Sequence, residues 1–123
     1  MSNPTALAER YIAAWNERDP RRRADLIAKT YTEEAIYVDA HRTGQGHDGL
    51  SAMIAAVHGQ FPEAYCFRLA SEVESHHDCL RFRWEAGGTA DAPLHYGGTD
   101  FCVVSPDGRL ESVTGFSDFA PSH

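Results

Sequence analysis

Apolar residues near the start of the chain recur at helical spacing, with Leu7, Tyr11, Ala14 and Trp15 on one face. Pro4, capped by Ser2 or Asn3, opens this helix, which runs to about Arg18. Asp19-Pro20 restarts the chain as cap and first residue of a second helix, through about Lys29, with Leu26 and Ile27 as its apolar contacts. Thr32-Glu33-Glu34 then leads into a run of period two. Ala35, Tyr37 and Asp39 share one face of that strand and Ile36 and Val38 the other. Both faces read as apolar, which places Asp39 in or beside a buried site. A carboxylate there is costly unless it is paired, hydrogen-bonded or protonated.

The segment Gly44 to Gly49 reads as a loop, and a third helix follows over roughly Gly49 to His58. Asp48 is its expected cap, and Leu50, Met53, Ile54 and Val57 form its apolar face. Pro62 blocks further helix. From Ala64 the period changes to two: Tyr65, Phe67, Leu69, Ser71 and Val73 alternate with more polar residues, a half-buried strand. His76-His77-Asp78 reads as an exposed turn into Cys79–Glu85, where Leu80, Phe82 and Trp84 oppose Arg81, Arg83 and Glu85. Gly87-Gly88 and Gly97-Gly98 bracket a loop containing Pro93. Strands over about Thr99 to Val104 and Arg109 to Phe116 are joined by Pro106-Asp107-Gly108, a hairpin signal. This order predicts one α+β domain over residues 1–123, with helices on one side of a mostly antiparallel sheet. A curled sheet of that kind leaves a cavity between its concave face and the helices.

Composition narrows the function. The apolar fraction is 42% and the charged fraction 24%, and no stretch reaches the length of a membrane span. A net charge of -7 argues against nucleic acid as a partner. The one basic cluster, Arg21-Arg22-Arg23, reads as a solvated helix face. The N-terminus has neither a basic start nor an apolar core, so a cytoplasmic location is expected. Cys66, Cys79 and Cys102 show no metal spacing and read as reduced thiols.

Several strings in order carry a resemblance. They are Arg10-Tyr11-Ile12-Ala13-Ala14-Trp15-Asn16, Ala35-Ile36-Tyr37-Val38-Asp39, Gly46-His47-Asp48-Gly49, Gln60-Phe61-Pro62-Glu63, Gly98-Thr99-Asp100-Phe101 and Asp107-Gly108-Arg109-Leu110. Together they resemble the nuclear transport factor 2-like superfamily, in the branch of SnoaL-like polyketide cyclases and ketosteroid isomerases. The resemblance implies a cone: a strongly curved sheet wrapped by three helices around a deep pocket, with a homodimer formed through the sheet. It implies cofactor-independent chemistry on a small hydrophobic molecule, with no metal. By that likeness the catalytic base falls on Asp39, and the oxyanion donors on Tyr11 and a protonated Asp100.

Residue chemistry agrees with such a division. Moving a proton beside a carbonyl needs a base that takes it up and returns it, and donors aimed at the enolate oxygen. Tyr37, His41, Phe82, Trp84 and Cys102 are the candidate substrate contacts, and the aromatic pair suits apolar compounds, polycyclic ones included. Each residue also has a structural reading. Tyr11 fits a core stripe, Asp100 fits a turn at a strand start, and Asp39 fits a side-chain cap of the turn that follows it. A proline typically follows the base in the isomerases, whereas Ala40-His41-Arg42 follows here, and Gln60–Glu63 is nearer the cyclase-like branch. Asp39, His41 and His47 match no zinc signature. The same fold supports a non-catalytic ligand-binding or dimerisation module. Epoxide hydrolysis, found elsewhere in the superfamily, needs an arginine between two pocket carboxylates, and Arg81 and Arg83 alternate away from Phe82 and Trp84.

Overall fold

Asn3 Oδ1 accepts the backbone N–H groups of Thr5 and Ala6, and Pro4 supplies a first helical residue that needs no donor. These two features start helix α1, Pro4–Asn16, in a computed structural model that describes residues 3–87 and 96–119, the Phe119 side chain excepted. Asp19 caps α2, Pro20–Thr30, in the same way through Arg21 and Arg22. The third helix, α3, is Gly46–His58. It starts earlier than expected, directly from the strand ending at Gln45. Asp48 lies in its first turn and is not its cap, and no side chain caps this end.

The strands are β1 Tyr31–Val38, β2 Thr43–Gln45, β3 Cys66–Leu69, β4 Glu74–His76, β5 Cys79–Gly87, β6 Tyr96–Val104 and β7 Leu110–Phe119. Among the described residues they form one open seven-stranded sheet in the order β2-β1-β7-β6-β5-β3, with β4 also on β5. All pairs are antiparallel except β1 with β7. Register shifts interrupt β1–β7 between Tyr31 and Ile36, and β6–β7 beside Gly97-Gly98 and Val103-Val104. Such irregularities bend and coil a sheet.

Four local expectations need correction. The loop after Asp39 contains β2, because Thr43–Gln45 turns back to pair with Ile36–Val38. The long strand after Ala64 is two strands, broken over residues 70–73, and β6 starts at Tyr96. The loop containing Pro93, and Ser2 as a cap, lie outside the described residues. Arg23 belongs to no solvated face. It is buried, donating from Nε to Ser51 Oγ at 3.0 Å and from Nη1 to the Glu17 carbonyl at 3.0 Å, while Arg21 and Arg22 are exposed.

The core fills the space between the helices and one sheet face. Leu7, Tyr11, Ala14 and Trp15 of α1, Ile27 of α2 and Leu50, Met53, Ile54 and Val57 of α3 meet Ala35, Tyr37, Leu80, Phe82, Cys102 and Val113. Asn16 ties the end of α1 to β3 by two hydrogen bonds with the Phe67 backbone, at 2.7 and 2.8 Å. The opposite sheet face is open. The apolar Ile36 and Val38 are exposed there, so only the Tyr37 face of β1 is buried, and Phe101 and Phe116 join them. No helix among the described residues is long and apolar enough to cross a membrane.

Candidate active site

Strand alternation brings the polar residues of the site into one row. On the helix-covered face Phe82 of β5 stands beside Asp100 of β6, and Asp100 beside Gly115 of β7. Asp39, one residue past the end of β1, flanks the other side of Gly115. A Cβ on Gly115 would lie 2.8 Å from Asp100 Oδ1, 3.3 Å from the Tyr37 hydroxyl and 3.5 Å from the Asp39 Cβ. The space of one missing methyl group therefore separates the two carboxyl residues.

Asp100 is 3% exposed and receives two hydrogen bonds. The Tyr11 hydroxyl donates to Oδ2 at 2.5 Å, and Trp84 Nε1 donates to Oδ1 at 3.1 Å. Gly98 makes the second bond possible, since the Trp84 indole lies where its Cβ would be, 2.7 Å from that position. The Asp100 pKa stands raised from 3.8 to about 6, because burial, and to a lesser degree the charge of Asp39, push it up further than the two donors pull it down. Tyr11 is fully buried, and burial first and Asp100 second hold its hydroxyl well above the ordinary phenol range. It is a neutral donor.

Asp39 is bound very differently. Its Oδ1 accepts the backbone N–H groups of His41 and Arg42 at 2.8 and 3.0 Å, and its own N–H donates to the Arg42 carbonyl at 3.0 Å. Its Oδ2 accepts the Tyr37 hydroxyl at 2.6 Å and Arg42 Nη1 at 3.4 Å. The aspartate caps its turn, and four donors occupy its two oxygens, about as many as a carboxylate accepts. Tyr37 is also held neutral, mainly by burial and then by the charge of Asp100.

A cavity of about 200 Å³ opens onto this row. Tyr11, Tyr37, Asp39, His41, Trp84 and Asp100 line it together, so six of the eight residues singled out in the sequence converge. Phe82 and Cys102 do not line it. Both are buried beneath it, Phe82 with its ring edge-on to Tyr11 at a centroid distance of 5.5 Å. Period two placed Phe82 on one face with Leu80 and Trp84 but could not show that Tyr11 of α1 covers it. Sequence reasoning missed Trp15, Phe61, Tyr65, Phe67 and Tyr96, which complete an aromatic wall, and Arg42 and Gln60. Arg42 follows the Asp39 turn directly and was the one legible signal among them.

Other candidates are placed elsewhere. His47 is outside the cavity with Nε2 3.0 Å from the Tyr31 carbonyl. Arg81 and Arg83 pair with Glu74 and Asp118 on the open face. Arg42 contacts Asp39 but not Asp100, so no arginine bridges the two carboxylates among the described residues. No cluster of three or more metal-ligating side chains occurs among those residues either.

No curated protein matches the chain. An Agrobacterium tumefaciens protein of the SnoaL-like family, provisionally assigned as an isomerase, is 37% identical over 94% of this chain and 97% of its own, with a TM-score of 0.88. A nuclear transport factor 2-like protein of unknown function from Exiguobacterium is 21% identical over 91% and 98%, with a TM-score of 0.72. A SnoaL-like protein from Jannaschia, provisionally a polyketide cyclase, is 16% identical over 94% and 87%, with a TM-score of 0.69. These last two show likeness of fold, the cone-like α+β fold of nuclear transport factor 2-like proteins. With the SnoaL-like domain matching residues 8–113 as well, the chain belongs to the SnoaL-like family.

Proposed function

We propose that this protein is a cofactor-independent acid–base enzyme acting on a small apolar carbonyl compound, and that Asp100 carries the proton. The observation behind this reading is the contrast between the two carboxylates. Among the described residues Asp39 has its oxygens occupied by four donors, whereas Asp100 accepts two and keeps a lone pair free on each oxygen. A pKa of about 6 leaves Asp100 ionised at neutral pH yet able to hold a proton, which suits a group that takes one up and returns it. A C–H bond beside the carbonyl breaks, its electron pair enters the enolate, and the proton moves to Asp100. Protonated Asp100 is a weaker acceptor, so the Tyr11 hydroxyl is released to donate to the enolate oxygen. Return of the proton to another carbon isomerises the substrate; attack of the enolate on a second carbonyl cyclises it, with the proton passing from Asp100 to the new alkoxide oxygen.

The family pattern assigns the base to Asp39 instead, and the presence of both carboxylates on one cavity favours keeping that second reading. Deuterium incorporation into β,γ-unsaturated ketones, followed by NMR in deuterated water, separates them. Asp100→Asn is expected to lower the rate by roughly a hundred- to ten-thousand-fold, with Asp39→Asn close to wild type. The opposite order makes Asp39 the base. No incorporation by the wild type across ketones that bind makes the protein a ligand-binding module.

A further inference from the structure

The turn after β1 also presents a cation to the cavity. Arg42 lines it while remaining partly exposed, so it stands at the solvent side of the site. Its backbone is pinned through both its N–H and its carbonyl to Asp39. Its guanidinium makes one long contact, Nη1 to Asp39 Oδ2 at 3.4 Å, and this is its only side-chain partner among the described residues. Most of the planar fork is free on a side chain whose base is already ordered. A free guanidinium fork matches a carboxylate with two parallel hydrogen bonds. The charge of Asp39 competes weakly, because the Tyr37 hydroxyl and two backbone N–H groups already satisfy most of it.

The interior sets the rest of the ligand. Trp15, Phe67 and Trp84 contribute flat apolar walls. The volume, about 200 Å³, is only modestly larger than the cavity of about 150 Å³ that takes up benzene. By that comparison one ring or two fused rings match it in size.

We propose that the substrate is a planar carbonyl compound of one or two fused rings bearing a carboxylate, which the Arg42 guanidinium grips at the solvent side. This rests on reading the cavity as the substrate site. Titration calorimetry with three probes tests it: 2-naphthoate, its neutral analogue 2-acetylnaphthalene, and pyrene-1-carboxylate, which has the same charge on a larger frame. Wild type is expected to bind 2-naphthoate at least tenfold tighter than either of the others. Arg42→Gln is expected to abolish the preference over the neutral ketone while leaving ketone affinity within about twofold. Arg42→Lys, which keeps charge but not the fork, is expected to retain only part of it and guards against a folding defect in the first variant. Equal binding of acid and ketone, a preference that survives Arg42→Gln, tighter binding of the pyrene acid, or no binding of any probe each overturns the proposal. Deuterium exchange at the methyl group of 2-acetylnaphthalene tests the enzymatic reading separately. Exchange without a preference for the acid sinks only the ligand class, and an Arg42-dependent preference without exchange sinks only the catalysis.

Discussion

The Tyr11 hydroxyl donates to Asp100 Oδ2 at 2.5 Å, joining the first helix to a strand 89 positions later. The bond favours the ionised carboxylate and so opposes the effect of burial. In Tyr11→Phe the Asp100 titration midpoint should move above its present value of about 6. Carbon-13 NMR of the aspartate carboxyls reads it directly. Stability should fall by roughly 1–3 kcal/mol, the cost of leaving a buried acceptor short of a donor. A midpoint that stays put or drops would show that the hydroxyl does not act on this carboxylate.

Asp100 also predicts a pH dependence of folding. Its pKa is about 6 in the folded chain against an ordinary 3.8, so the fold prefers the protonated form. Its contribution is fully present below 3.8 and is lost as pH rises through about 6. Relative to Asp100→Asn, wild type should lose roughly 3 kcal/mol between pH 3 and pH 8. Urea unfolding of both proteins across that range provides the difference and cancels the pH response of the exposed carboxylates. A constant difference would mean that Asp100 titrates normally.

Gly115 is the narrowest point between the carboxyl residues. A Cβ there meets Asp100 Oδ1 at 2.8 Å, and the aspartate is buried and held by Tyr11 and Trp84. Gly115→Ala should cost about 1–3 kcal/mol in thermal or urea unfolding through overpacking. Deuterium exchange should fall with it, because the carboxylate is displaced from Tyr11 or Trp84. Unchanged unfolding and unchanged exchange would show that the row yields without strain.

The turn at Asp39 allows a comparison of two substitutions at one position. Asp39→Asn keeps an oxygen for the His41 and Arg42 N–H groups, and Asp39→Ala keeps none. Alanine should be the less stable by about 1 kcal/mol or more, the usual worth of a side-chain cap to backbone donors. Melting temperatures in the reverse order would remove the cap as the reason for an aspartate here.

The open sheet face bears on the expected homodimer. Val38 and Phe101 pair in register with Thr114 from either side, and Phe116 is 63% exposed. Sedimentation of wild type and of the double variant Val38→Glu, Phe101→Glu tests whether a second copy covers this face. A dimer that becomes a monomer supports the expectation. A wild-type monomer, or a dimer indifferent to the charges, contradicts it.

Local chemistry made much of the fold legible. Asn3-Pro4 and Asp19-Pro20 set two helix starts, and Leu7, Tyr11, Ala14 and Trp15 marked the buried stripe. Period two placed Tyr37 and Asp39 on one side of β1 and Phe82 and Trp84 on one side of β5. The strand break at residues 70–73 and the strand Thr43–Gln45 were not legible, because both are set by how each segment pairs with its neighbouring strand and not by its own side-chain period.

By itself, then, the sequence determined the apolar stripes of the helices and the alternation along the strands, since side-chain period and capping depend only on near neighbours. It also brought Tyr11, Asp39 and Asp100 forward as candidates. Tertiary structure decided what each of them is bonded to. Whether a carboxylate is free or saturated depends on donors that come from other elements, such as Tyr11 from α1 and Trp84 across Gly98, or from a turn geometry fixed by β1 and β2. Among the described residues those contacts left Asp100 with open lone pairs in a buried site and filled the lone pairs of Asp39. Periodicity carries no information about that difference.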